Sequence, residues 1–203
     1  ITQYCNTTAN AMCTACPTDW YADSENQDQC FQCGNCTEGN YTTSHCRADA
    51  NTECASCPEG FFCNDTNSST PTPCDSGFIC FPGSIQQDLC PPGSMCPTTF
   101  IQLECPAGVV CPEGSILATL CDQGNYCPPN SSQQTPCALG NECNDPSMQV
   151  PCTPTHFCPE GTVQQQLCDA GMMCPTPFEN QTCPLGSWCE EGSISPTNCT
   201  PGH

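Results

Sequence analysis

The sequence predicts a small disulfide-rich fold: an elongated tandem array of short β-hairpin and turn units with almost no helix. Cysteine makes 27 of 203 residues. Leu, Ile, Val and Phe together make only 25, a level at which a chain does not bury enough apolar surface to offset its ordering entropy, so covalent staples have to replace a hydrophobic core. From Cys57 onward the cysteines recur on a fixed beat, a five-residue gap followed by a gap of eight to ten. Such self-similarity is the mark of a repeat array in which each unit touches mainly its neighbours.

Three regions follow in order. In residues 1–15, Cys5 and Cys13 read as the tail of a preceding cysteine-rich module, because the stretch from Cys5 to Cys16-Pro17 aligns without a gap on that from Cys46 to Cys57-Pro58. In residues 16–56 the spacing changes: Cys16, thirteen residues, Cys30-x2-Cys33-x2-Cys36, nine residues to Cys46 and seven to Cys54. With its Asn51-Thr52-Glu53-Cys54 ending, this region resembles the cysteine-rich module of tumour necrosis factor receptors. The resemblance implies disulfides Cys16 with Cys30, Cys33 with Cys46 and Cys36 with Cys54. Thr18-Asp19 stands where that family often has Gly.

Residues 57–203 hold nine complete repeats and the start of a tenth. They open at Cys57, Cys74, Cys90, Cys105, Cys121, Cys137, Cys152, Cys168 and Cys183 and close six residues later, from Cys63 to Cys189; the tenth opens at Cys199. Cys57-Pro-Glu-Gly60, Cys90-Pro-Pro-Gly93, Cys105-Pro-Ala-Gly108 and Cys183-Pro-Leu-Gly186 are similar to the Cys-Pro-x-Gly signature of ephrin-receptor-like cysteine repeats, which are multiplied in surface and appendage proteins of protists and algae. Pro at the second position of a turn, followed by Gly, reverses the chain. The residue before the closing cysteine is apolar in eight repeats, from Phe62 to Trp188, with Glu142 the exception. Packing of each such side chain on a neighbour's disulfide is preferred here to a binding stripe. A longer period also exists: the cysteines from Cys74 to Cys121 recur 78 residues later, from Cys152 to Cys199.

Two disulfide registers are open for the repeats. Closure within each five-residue gap, or interlocking with the next repeat, leaves Cys199 without a partner in this sequence. A shifted register, Cys63 with Cys74 and onward to Cys189 with Cys199, strands Cys57. The match of Cys57 to Cys16, whose partner lies downstream, favours the former and places the partner of Cys199 two residues past His203.

Composition also restricts function. So many cysteines persist as disulfides in an oxidising compartment, which predicts an extracellular or cell-surface location and a stretch of a longer secreted precursor. Asn-x-Ser/Thr acceptors at Asn6, Asn35, Asn40, Asn64, Asn67, Asn130, Asn180 and Asn198 agree with that. Pro-flanked Ser and Thr, as in Thr70-Pro-Thr-Pro73 and Pro175-Thr-Pro177, suit O-linked sugars. Twenty-one acidic residues face one basic residue, Arg47, which excludes nucleic acid as a partner because affinity there comes from Lys and Arg. Evenly spread acids read as a solvated, self-repelling surface; calcium is the one cofactor they could hold, yet no run resembles an EF-hand loop. No apolar stretch is long enough for a membrane span. Cys13-x2-Cys16 with Cys30-x2-Cys33 approaches zinc-ribbon spacing, but in this context the cysteines read as disulfides. His45, His156 and His203 lack a nucleophile and an orienting acid at any recognisable spacing, so no enzyme activity is expected.

The expected function is structural: a component of an extracellular glycosylated filament or appendage, mastigoneme-like or a surface fibril, whose partners are further filament subunits. The competing expectation is a receptor-type ectodomain in which residues 16–56 form a ligand-binding head on a repeat stalk.

Overall fold

The residue three places after each opening cysteine sets the local structure. In the computed structural model, which describes residues 3–5, 13–22, 29–66 and 68–200, the carbonyl after the opening cysteine accepts a hydrogen bond from the amide three residues on. Phe61 N donates to Pro58 O, Phe78 N to Asp75 O and Ser94 N to Pro91 O. The third residue of this turn has positive φ, 79° at Gly60 and 81° at Gly93, as a type II turn requires. Pro is therefore the first residue of the turn rather than the second. The correction has a steric cause: only the third position needs positive φ, and the glycine has to stand there. A Cβ at Gly93 would also lie 2.5 Å from the Asn130 carbonyl oxygen.

From the turn, two residues pair antiparallel with the two before the next opening cysteine. Phe61–Phe62 pairs with Thr72–Pro73, Val109–Val110 with Thr119–Leu120, and Ser187–Trp188 with Thr197–Asn198. Among the described residues there are twelve two-stranded sheets, and no helix. The amide of the next opening cysteine then closes the turn in eight of the nine complete repeats: Cys74 N donates to Gly60 O, Cys105 N to Gly93 O and Cys152 N to Gly140 O, for example.

All nine complete repeats close within their own gap, Cys57–Cys63 through Cys183–Cys189, with Cα–Cα distances such as 5.9 Å at Cys105–Cys111. The shifted register is not adopted, and Cys199 is exposed and unpaired. These sulfurs are the core. Besides cysteine, the buried apolar side chains among the described residues are those of Ala22, Ile79 and Val110.

Consecutive repeats are joined through the backbone. Gly60 N donates to Cys80 O, Cys63 N to Ser84 O and Gly83 N to Cys57 O; the same three bonds recur from Gly93 to Cys111, Cys96 to Ser115 and Gly114 to Cys90. Loop length governs the count. After Cys80, Cys111, Cys127, Cys158 and Cys189 the gap is nine residues, and a Gly or Asn of positive φ follows as Gly83, Gly114, Asn130, Gly161 or Gly192. That residue donates back to the previous opening cysteine. After Cys143 and Cys174 the gap is eight, and the bonds received are those from Cys127 N to Pro146 O and from Cys158 N to Pro177 O.

Residues 16–56 use the same frame under a different stapling. Asp19, three after Cys16, has φ 65°, and Cys33 N donates to its carbonyl; Asp tolerates the left-handed region better than most residues. Gly39, three after Cys36, has φ 78°, and Cys57 N donates to it. Where the repeats have a closing cysteine, this region has Ala22 and Thr42, both buried. Its disulfides are Cys16–Cys30, Cys33–Cys46 and Cys36–Cys54. By backbone contacts the chain forms two compact bodies, residues 1–89 with 98–101 and residues 90–97 with 102–203.

Candidate functional site

The line of residues before the closing cysteines faces inward more than outward. Ile79 and Val110 are buried, Phe62, Met95, Tyr126, Phe157 and Met173 are half-buried, and Trp188 is exposed. Val110 clusters with Cys121 and Cys127, the disulfide of the next repeat. Glu142, the polar exception, instead accepts the Gln165 backbone amide of the next repeat at 2.8 Å. A junction is thus filled by sulfur contact or by a hydrogen bond at the same position.

A second side-chain system escaped the cysteine-based reading. Where Pro follows the opening cysteine there is no N–H to satisfy; where it does not, the amide three places before the next opening cysteine accepts that N–H. Asp75 N donates to Gln87 Oε1 at 2.9 Å while Gln87 Nε2 donates to Asp75 Oδ2 at 3.0 Å. Asp122 and Gln134 repeat the clasp at 3.1 Å in both directions. Ala138 N donates to Gln149 Oε1, and Thr153 donates to Gln165 Oε1 through both its amide and its hydroxyl. His156 Nδ1 lies 2.9 Å from that hydroxyl, so its N–H is the donor; the imidazole braces the turn holding Thr155 at φ 80°. The signal was present in the sequence: in the repeats opening with Cys-Pro, the equivalent residues are Pro71, Gln102, Ala118 and Pro196. Asn180 occupies this place in the repeat opening at Cys168 and, one methylene shorter, makes no clasp to Asp169.

Instead, Asn180 lines an open groove of about 440 Å3 with Phe157, Val163, Gln166, Leu167 and Asp169. A more polar cleft of about 380 Å3 lies in residues 16–56, lined by Asp19, Gln32, Asn35, His45 and Thr52 among others. Beside it, Tyr21 and Phe31 pair across strands with ring centroids 6.0 Å apart, and Trp20 and Phe31 are exposed.

The acceptor asparagines differ in setting. Asn35, Asn64, Asn130, Asn180 and Asn198 are exposed; Asn40 is half-buried, its Nδ2 donating to Thr37 Oγ1 at 3.1 Å. Asn198 Oδ1 accepts from Ser187 Oγ. Asn6 and Asn67 lie outside the described residues, as does His203. The Thr176 hydroxyl is shielded from solvent without a partner, so Pro175-Thr-Pro177 does not present it for O-linked sugar. Of the zinc-ribbon cysteines, Cys16, Cys30 and Cys33 are in disulfides, and the Cys13 side chain lies outside the described residues. Among the described residues no three His, Cys, Asp or Glu side chains gather as a metal site, and no helix is long and apolar enough to cross a membrane.

The chain matches no family model and no curated protein.

Proposed function

We propose that this chain is a structural component of an extracellular glycosylated filament or appendage, mastigoneme-like or a surface fibril, in which repeats are stacked to gain length. The observation that carries the reading is one backbone bond, cysteine N to loop O, repeated at each junction between complete repeats, with Gly N to cysteine O and loop N back to cysteine O added where the receiving loop has nine residues. An arrangement in which every interface is made by neighbours adds length without needing a new core. Twelve disulfides among the described residues favour an oxidising compartment. The charge of −20 favours solubility of the stacked particle, and further filament subunits and N- and O-linked glycans are its partners.

Electron microscopy of native material labelled with an antibody to this chain tests the reading. A continuous fibre with a regular axial repeat is expected, and isolated particles that never associate would overturn it. A radius of gyration of about 17 Å in scattering, the value for a compact globule of this length, would also count against it.

The second reading, a ligand-binding head on a repeat stalk, has one observation in its favour. Residues 16–56 combine the polar cleft with the exposed rings of Trp20 and Phe31. Saturable binding of a cell-surface protein, lost on Trp20→Ala, is its expected signature.

A further inference from the structure

We infer that the N-linked glycan of Asn180 folds back into the groove over Phe157, Val163 and Leu167, so that its first sugars become part of the array's packing. The inference rests on the extracellular glycoprotein reading. Four comparable repeats fill the place of Asn180 with a glutamine that clasps the residue after the opening cysteine. Asn180 gives up that bond and belongs to the sequence Asn180-Gln-Thr182, the one acceptor that stands at a clasp position in a repeat lacking Pro. The groove is open where a longer side chain would bridge to Asp169. Its lining mixes apolar side chains, Phe157, Val163 and Leu167, with polar ones, Gln166 and Asp169 among them, around Asn180. This is the chemistry a pyranose needs, with C–H faces on the apolar side chains and hydroxyls to the polar ones. Asn180 itself lines the groove, so a sugar attached there is delivered at high effective concentration and does not carry the cost of free association.

Attachment is transfer from a lipid-linked oligosaccharide: the Asn180 amide nitrogen bonds to the anomeric carbon and loses a proton, and the lipid pyrophosphate leaves.

The test uses the full chain secreted from a glycosylating eukaryotic host and digested, while native, with peptide-N-glycosidase in water labelled with heavy oxygen. Release is followed at each site by mass spectrometry. Asn130, exposed and away from this groove, is the internal reference. The glycan at Asn180 is expected to be released at least about tenfold more slowly than that at Asn130, the factor given by about 1.4 kcal/mol of protection. The difference is expected to vanish after reduction and denaturation, and to shrink in Leu167→Ser, a substitution of an already exposed side chain. Equal native rates at the two sites would overturn the inference. So would occupancy at Asn130 with none at Asn180, which would leave the glycoprotein reading standing; absence of sugar from every acceptor would overturn both.

Discussion

Residues 16–56 and the repeats from Cys57 onward share one hairpin and differ in how it is stapled. Both place a residue of positive φ three after an opening cysteine, and both close the turn with the amide of the next one. In the repeats the disulfide is local, spanning six residues; in residues 16–56 it reaches 13 to 18 residues and two bridges cross in sequence. Ala22 and Thr42 fill the vacated closing positions, and Thr42 Oγ1 sits 3.3 Å from Cys36 Sγ. The backbone turn and the staple are therefore separable: the hairpin is specified by Cys-x-x-Gly and its hydrogen bonds, and the disulfide is added on top in one of two ways.

The comparison breaks most visibly at the staples. Loop-closure entropy assigns about 3 kcal/mol to the span of Cys36–Cys54 and about 2 kcal/mol to that of Cys105–Cys111. The double variant Cys36→Ser, Cys54→Ser is thus expected to lose more amide protection in its region than Cys105→Ser, Cys111→Ser loses around Val110. Hydrogen exchange with the other disulfides intact measures both; a larger loss at the local staple would refute the ranking.

Next are the turns. Gly93→Ala is expected to destabilise by about 2 kcal/mol or more, from the left-handed φ and the clash with Asn130. Thr155→Gly should do the opposite, gaining about 1 kcal/mol, because a β-branched residue is held there at φ 80°. Asp19→Gly, at the matching position of the other region, should gain less. Thermal melts compare all three, and a destabilised Thr155→Gly would show that His156 and Gln165 contribute more than the turn strain removes.

Smaller still is the clasp. Gln87→Ala is expected to cost about 1 kcal/mol in the native background and close to nothing when Asp75→Pro has removed the N–H it accepts. Additive costs in that cycle would deny the link between proline and clasp.

The last concerns Asp145, whose carboxylate accepts the Ser147 amide at 2.9 Å and is held below the usual carboxylate range by that bond. Its contribution is fully present above the unfolded value, about pH 3.9, and is lost as pH falls through the lower folded value. Exchange of the Ser147 amide is expected to accelerate only at strongly acid pH; a change beginning near neutrality would point to another group.

Much of the architecture was legible because cysteine marks it. The beat from Cys57 gave the repeats, and Cys-x-x-Gly gave their turns. The turn register was displaced by one residue, since proline's usual place at the second position competes with glycine's at the third and sterics decide for glycine. The kinship of residues 16–56 to the repeats was hidden because Ala22 and Thr42 carry no sulfur to mark the frame. The clasp glutamines were overlooked for a related reason: their role depends on an N–H freed by the loss of a proline elsewhere in the repeat, a relation between positions that neither residue announces by itself.

The self-contained staple has a consequence for how such a gene can change. A repeat that pairs its own two cysteines and presents a similar junction on either side can be duplicated or deleted whole by unequal recombination, leaving every remaining cysteine with the partner it had. The crossing pairs of residues 16–56 do not allow this: a breakpoint between Cys36 and Cys46 separates two bridges at once. Copy number is free to drift in one region and locked in the other.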